Sequence, residues 1–595
     1  MDINSPAQTL PSPNALRPKM AGLLLILAIT LVYGRFFYNP PVFDDLNVLT
    51  NRQLLQGYGH SFFTFTLRWF PYATFGWVHN LAGMNFVWHR LVNLLFHAAT
   101  VLALYRFLAL LFKTTLKEWG TDRLAFWGAM IFAVHPVAVY AAGYLIERSI
   151  VMATLFSILA LHAFLKGLTD GKRRWLYFST LFYFLAVFSK EHAVMLPAAI
   201  AAMTLLVRRP SLALLREMAA PLAVFFAIAL LIVLKAKGVL GQPYEPFAAG
   251  MLAAVAENHA GFNIEHAYPL SILMEGLLFF KYLGLWLLPY VGWMSIDLRA
   301  EFPSGLFSWP YTFGFLAFAA YPFLALKLLL RGERSGLAGF ALLFPWLMFL
   351  TELTTIRIQE PIVLYRSYLW MLTLPALLPV VAGKLAPRRE NIVLAIVALV
   401  LAASAWNRLE TFSNDLLLWN DAVTKYPNDK VPGAERGYVN RGVACIRYRL
   451  YNIAFADFDR AIAINPKASV AYSDRAMANL NLSRFQEALD DASKAIELDP
   501  KYASPYSNRG IAKSRLGQLR EALADHDQAI ILDPDNSQMR TNRGVARMAA
   551  GDAAGALKDF EQAVALNPYN HNAAFNRDLV RKKMGAGEAP IKKTP

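Results

Sequence analysis

Cysteine is all but missing from this chain, and the single one, Cys445, excludes an internal disulfide and any zinc site built on cysteines. Charge is scarce too: 17% of the 595 residues are Asp, Glu, Lys or Arg, against about 25% in ordinary soluble domains. There is no HExxH pair, no phosphate-cradling glycine loop and no GxSxG elbow. The enzyme classes that depend on those motifs therefore receive no support. Acidic residues are outnumbered, 42 against 58 Lys and Arg, for a net charge of +16. In so apolar a chain that excess reads as basic loops orienting membrane spans, and no nucleic-acid partner is expected.

What the chain does have is apolar sequence, 56% of all residues, with a mean hydropathy of +0.35. The average hides a division near Trp406. Before it run long apolar stretches; after it comes an Ala-, Asp-, Arg- and Asn-rich, helix-favouring sequence with no stretch of membrane length. A span needs about 20 apolar residues. Eleven candidates lie near 20–37, 89–112, 124–143, 147–166, 175–189, 193–207, 217–236, 310–330, 337–353, 363–383 and 391–406. The first follows Arg17 and Lys19 and lacks a small-residue cleavage site, so an uncleaved anchor with a cytoplasmic N-terminus is expected. The run 270–291 is ambiguous because it holds Glu275, Lys281 and Pro289.

The basic clusters decide how that run is read. If it does not cross, Lys113/Lys117/Arg123, Lys172–Arg174, Arg208–Arg209, Arg331–Arg334 and Lys384–Arg389 all fall on the cytoplasmic side. If it crosses, the last two clusters move outside, against the positive-inside tendency. The expectation is therefore eleven spans, a re-entrant or interfacial 270–291, and a C-terminal domain outside the cytoplasm. The compartment expected is a bacterial inner membrane, with membrane lipids as partners.

Prolines recur at Pro432, Pro466, Pro500, Pro534 and Pro568, each 34 residues from the last. In phase run Asn440-Arg441-Gly442, Asp474-Arg475-Ala476, Asn508-Arg509-Gly510 and Asn542-Arg543-Gly544. A 34-residue helix–turn–helix period closed by Pro is the tetratricopeptide signature, and such arrays present a groove to peptides. The segment Leu416–Pro427 reads as a half-repeat that docks the array onto the last span. The fold expected is all-α: a cytoplasmic tail (1–19), a polytopic domain (20–410), a repeat domain (411–585) of a half-repeat, four repeats and a cap, and a disordered tail (586–595).

Ionisable residues close to spans are functional candidates, because a charge at bilayer depth costs about 2.5–3.5 kcal/mol on insertion scales. Threading sends many of them to one side. Asp44 and Asp45 lie in the first external loop, where paired carboxylates can divide the work of base and positioner. His135, Glu147 and Arg148, then Lys190, Glu191 and His192, then Arg357, Glu360, Tyr365 and Arg366 follow on the same face. Arginine suits a phosphate because its rigid fork binds two oxygens. No cofactor is firmly implied. A divalent metal at His135 or His192 is a weak alternative, since neither has a helical His partner at ligand spacing.

The order Phe43-Asp44-Asp45 with Asn51, then His135-Pro136, Arg148-Ser149, Ser189-Lys190-Glu191, the Tyr/Arg stretch and the 34-residue repeats resembles the TMTC type of membrane O-mannosyltransferase. More broadly it is similar to bacterial GT-C glycosyltransferases carrying tetratricopeptide repeats. The resemblance implies sugar transfer from a polyprenyl-phosphate carrier to a protein hydroxyl outside the cytoplasm, with inversion. Asp44 or Asp45 would be the base. Arg148, Lys190, Arg357 and Arg366 would hold the phosphate, supported by His135, Glu147, Glu191, His192 and Tyr365. Relatives tend to carry an acid shortly after His-Pro, where this chain has Tyr140. The alternatives are a transferase or ligase with a lipid or glycan acceptor, and a non-catalytic scaffold recruiting partners through its repeats.

Overall fold

The computed structural model describes residues 17–45, 57, 66–116, 121–208, 211–243, 245, 248–258, 262–382, 386–426 and 431–585. Asn51, Lys117, Arg209, Lys384, Pro427 and most of both tails lie outside the described residues. The regular elements described are all helical, as expected, and the extended pairings are two isolated bridges, Pro243 with Ile356 and Leu298 with Ile362. The chain divides into two compact units, Met1–Pro427 and Asn428–Pro595.

In the first unit the helices used below are α1 (Pro18–Tyr33), α2 (Phe86–Leu116), α3 (Arg148–Asp170), α4 (Arg173–Ser189), α5 (Ala267–Leu287), α6 (Tyr311–Leu330), α7 (Glu333–Phe349), α8 (Pro387–Thr411) and α9 (Asp415–Val423). Among the described residues eight helices are long and apolar enough to cross a membrane, or ten if each of two bent pairs counts as one span. The bends are 51° between Thr121–Ala133 and Pro136–Ala142, and 53° between Leu364–Trp370 and Leu374–Val381. Both have a proline at the start of the second helix or one residue in, where a missing N–H and a fixed φ interrupt the helix. The eleven expected spans differ from this count at two places. The stretches 175–189 and 193–207 form α4 and the helix Glu191–Val207, each 17 residues long, which at ~1.5 Å per residue is close to the lower limit for crossing. The stretch expected not to cross, 270–291, lies largely in the unbroken apolar helical run Ile264–Leu287.

The contacts of α5 show how it lies. The Tyr268 hydroxyl donates to the Leu353 carbonyl at 2.9 Å, and the Tyr282 ring sits 5.9 Å from the Phe349 ring. Those two tyrosines are about 21 Å apart along their helix, whereas Phe349 and Leu353 are about 6 Å apart by the same helical rise. Helix α5 therefore lies across the end of α7 instead of alongside it.

The first and last long helices end together. Trp406 donates its indole N–H to the Val32 carbonyl at 2.8 Å, Asn39 donates to the Phe412 carbonyl at 3.4 Å, and Arg35 meets Glu410 at 3.9 Å. Helices α1 and α8 thus deliver the chain to the same face of the bundle. The segment expected to open the repeat array, α9, belongs to this first unit. Its Trp419 ring meets Phe43 edge-on at 5.1 Å, and its Asp421 pairs with Arg408 at 3.0 Å.

The second unit stacks four helix pairs: Ala434–Arg447 with Tyr451–Ile464, Ser469–Asn481 with Phe485–Leu498, Ala503–Arg515 with Leu519–Leu532, and Ser537–Ala549 with Ala553–Leu566. His571–Lys583 caps them. Helices pack closely because the phased glycines leave no room for more. A Cβ on Gly442 would stand 2.7 Å from the Phe458 ring, and one on Gly544 2.6 Å from Phe560. The phased arginines fix each pair with a two-pronged bond to an aspartate 16 residues on, Arg441 to Asp457, Arg475 to Asp491, Arg509 to Asp525 and Arg543 to Asp559.

Candidate active site

The site is built first from the loop that follows α1. Pro40-Pro41 stiffens its entry, and Phe43 then takes a left-handed backbone with φ 52°, a conformation that a bulky residue keeps only when its surroundings hold it there. A second non-glycine residue, Arg68, does the same with φ 61° immediately before the helix Trp69–Ala82.

The two adjacent carboxylates have different surroundings. Asp45 is buried, and its oxygens accept from the Val42 N–H at 3.1 Å and the Ile146 N–H at 3.0 Å. Burial pushes its carboxyl up to about 7, against the opposing pull of Arg90 and those two N–H groups. Asp45 thus ties the first loop to the start of α3. Asp44 is half-buried, its own N–H donates to the Tyr144 hydroxyl at 3.2 Å, and it lines a cavity. Tyr144, Glu147, Asp297, Glu360 and Tyr365 line it as well.

Beside the cavity runs a chain of ion pairs. Lys190 lies 3.6 Å from Glu147 and 5.4 Å above the Tyr365 ring, so it adjoins two cavity-lining residues. Burial, then the neighbouring Arg68, lowers its ammonium to about 8, with Glu147 opposing. Arg68 binds both oxygens of Glu191. His192 Nε2 donates to Glu352 at 2.7 Å, and Glu352 also pairs with Arg366 at 2.6 Å and Arg357 at 3.4 Å. Arg357 closes the chain on Glu245 at 3.1 Å. Its arginine and lysine members, Arg68, Lys190, Arg357 and Arg366, are matched by Glu147, Glu191, Glu245 and Glu352. Buried pairs need that matching, because an unpaired charge at such depth is costly.

Of the residues singled out in the sequence, Asp44, Glu147, Glu360 and Tyr365 meet at the cavity, and Lys190, Glu191, His192, Arg357 and Arg366 form the adjoining network. Besides Asp45, two are placed elsewhere. Arg148 is fully buried, donating to Asn93 at 2.6 Å, Thr74 at 3.1 Å and the His89 carbonyl at 2.9 Å, with Phe75 3.8 Å beneath it. It braces α3 against neighbouring helices and does not line the cavity. His135 stacks on Trp286 at 4.2 Å and accepts from the Val137 N–H, capping the turn at the first bend. Four residues escaped the sequence reading: Arg68, Glu245, Asp297 and Glu352. Glu352 had a readable signal, a lone acid closing an apolar run, as Glu147 opens one. Among the described residues no group of three or more His, Cys, Asp or Glu side chains converges as metal ligands would.

Comparison with known proteins gives a family model, solved structures and one curated relative. A tetratricopeptide repeat family model matches residues 508–571. The chain is similar to solved repeat structures: the Arabidopsis OM64 TPR domain (28% identity, 20% of this chain and 96% of that one, TM-score 0.19) and the Thermus thermophilus protein TTC0263 (19% identity, 31% and 93%, TM-score 0.26). It is also 29% identical over 178 residues to the Mus musculus protein O-mannosyl-transferase TMTC1, a match covering 26% of this chain and 18% of that protein. The chain thus spans less than a fifth of that relative's length. It is an all-helical protein with apolar, membrane-length helices and a tetratricopeptide-repeat region, distantly similar to a protein O-mannosyl-transferase.

Proposed function

We propose that the chain is an inverting glycosyltransferase of GT-C type that moves a sugar from a polyprenyl-phosphate carrier to a protein hydroxyl outside the cytoplasm. Asp44 accepts the proton of the acceptor hydroxyl. The freed oxygen attacks the anomeric carbon from the face opposite the phosphate. The carbon–oxygen bond to the phosphate breaks, and its electron pair leaves with the lipid phosphate. Lys190 faces that charge at the cavity edge, with Arg68, Arg357 and Arg366 behind it. The observation carrying the reading is that Asp44 lines the same cavity as Glu147 and Tyr365, the two residues that Lys190 adjoins.

Direction supports the location. Helix α4 begins at Arg173-Arg174 and ends next to Lys190, so the basic cluster and the site lie at opposite ends of the bundle. Basic loops favour the cytoplasm. The site, and the exit of α8 beside it, then face away from the cytoplasm. The repeats capture the protein acceptor, raising its local concentration at the site. A scaffold role alone would leave the carboxylate-lined cavity and its buried ion pairs without a use.

The test is to look for a polyprenyl-phosphate lipid by mass in the purified full-length protein, then to measure sugar transfer to a hydroxyl-bearing peptide. Reporter fusions after Arg331 and after Tyr426 should report opposite sides of the membrane. A protein free of such lipid and unable to use one would overturn the reading.

A further inference from the structure

We propose that α9 and the residues just after it, 415–426, are a positioning device for the base, with Asp415 and Trp419 holding Asp44 in place through Phe43. The proposal rests on Asp44 being the base. The segment is not a bystander beside the cavity, because it holds two residues of the lining, Phe43 and Asp297.

At the first of these, the Phe43 N–H donates to Asp415 Oδ1 at 3.1 Å. The Phe43 ring meets Trp419 edge-on at 5.1 Å and lies nearly parallel to Tyr144 at 6.3 Å. Tyr144 in turn accepts the Asp44 N–H. Residue 43 stands in a left-handed conformation that its side chain disfavours. Of the contacts that oppose its relaxation, the hydrogen bond and the edge-on ring come from α9. If they are lost, the peptide can return to negative φ, which re-aims the residue that follows, Asp44.

At the second, the Tyr426 hydroxyl donates to Asp297 Oδ2 at 2.5 Å. Lys425 Nζ donates to the carbonyls of Met294 at 2.7 Å and Val291 at 3.1 Å. Arg408 reaches the same Met294 carbonyl at 2.8 Å while pairing with Asp421. Asn414 caps α9 by accepting the Leu417 N–H at 2.9 Å, which fixes where Asp415 and Trp419 begin. One short segment therefore holds both Phe43, next to Asp44, and Asp297, and a base misplaced by about 1 Å can lose a hundredfold in rate.

The experiment uses the full-length protein in detergent and four variants: Asp415→Leu, Asp415→Asn, Trp419→Leu and Asp44→Asn. Amide hydrogen exchange over residues 40–45 is read without substrate. Transfer is read with polyprenyl-phosphate-mannose as donor and a serine/threonine peptide as acceptor. Asp415→Leu and Trp419→Leu should speed exchange at Phe43 and Asp44 and lower kcat by about tenfold to a hundredfold, leaving the donor KM within twofold. Asp415→Asn, which keeps an oxygen for the Phe43 N–H, should restore both readouts. Should Asp415→Leu not fold, Trp419→Leu carries the comparison.

Unchanged exchange in the Leu variants overturns the proposal, as does unchanged kcat alongside an inactive Asp44→Asn. An Asp415→Asn variant as impaired as Asp415→Leu also overturns it. If instead Asp44→Asn turns over normally, or the wild type uses no such donor, the base assignment is what has failed. The exchange data then decide by themselves whether α9 fixes the loop.

Discussion

The two adjacent aspartates should separate cleanly when each is changed to asparagine. In Asp45→Asn one of the two buried N–H groups, of Val42 or Ile146, loses its acceptor and faces an amide NH₂. A buried donor left unsatisfied costs about 1–3 kcal/mol. Arg90 also loses the carboxylate whose charge it faces, so the total should reach about 3 kcal/mol, within the usual range for a broken buried network. Asp44→Asn disturbs much less, since the half-buried side chain lines a cavity and the bond from its backbone N–H to Tyr144 survives. Its stability should stay within about 0.5 kcal/mol of wild type, while transfer falls by about 10²- to 10⁴-fold, the usual worth of a general base. Thermal unfolding in detergent and initial rates with a labelled polyprenyl-phosphate sugar, measured on both variants, make the comparison. Wild-type turnover in Asp44→Asn would refute the reasoning. So would an inactive Asp45→Asn with unchanged melting, which would exchange the two roles.

Three further outcomes follow from the same geometry. Lys190 titrates near 8, so kcat/KM for the lipid donor should decline as pH rises through about 8 and the ammonium is lost; Lys190→Arg should abolish that limb, and a wild-type profile in the arginine variant would remove Lys190 from phosphate binding. In the repeats His526 fills the slot that Phe458 and Phe560 occupy elsewhere, and burial lowers it to about 4 from 6.5. A base with a depressed folded pKa gives stability that is complete above the unfolded pKa and lost as pH falls, about 2 kcal/mol between pH 7.5 and 5. His526→Phe should remove that loss, as denaturant unfolding of residues 428–595 at the two pH values would show. Deleting residues 431–595 should slow transfer to a protein acceptor far more than transfer to a small hydroxyl acceptor, and equal losses would mean that the repeats serve stability alone.

Much of the architecture is legible in the sequence because its signals are periodic or bulky. Prolines at a 34-residue interval mark each repeat, and apolar runs of membrane length mark most of the long helices. The site was legible as a set of charges on one face but not as a geometry. Asp44 and Asp45 are neighbours with the same chemistry, and only the N–H groups of Val42 and Ile146 distinguish them. Arg148 opens an apolar run as a phosphate ligand would, but Asn93, Thr74 and the His89 carbonyl claim it, and they come from segments more than fifty residues earlier. Arg68 was passed over because it sits in a loop with no apolar run to set it off, and its role appears only through Glu191. Nor does hydropathy give direction: the run Ile264–Leu287 is apolar enough for a span, while Tyr268 and Tyr282 place it across the end of α7.

The bond from Phe43 to Asp415 joins residues 372 positions apart. On a ribosome adding about 5–20 residues each second, the first loop is made tens of seconds before the helix that fixes it. Until then Arg90 and Asp45 can find each other, but Phe43 has neither Asp415 nor Trp419, and Asp297 has no Tyr426. The site is therefore assembled last, by the same stretch of chain that leads into the repeats. A nascent copy of this protein would be inserted, oriented and mostly packed before its first loop is held in place, and a chain that stalled before α9 would keep that loop loose.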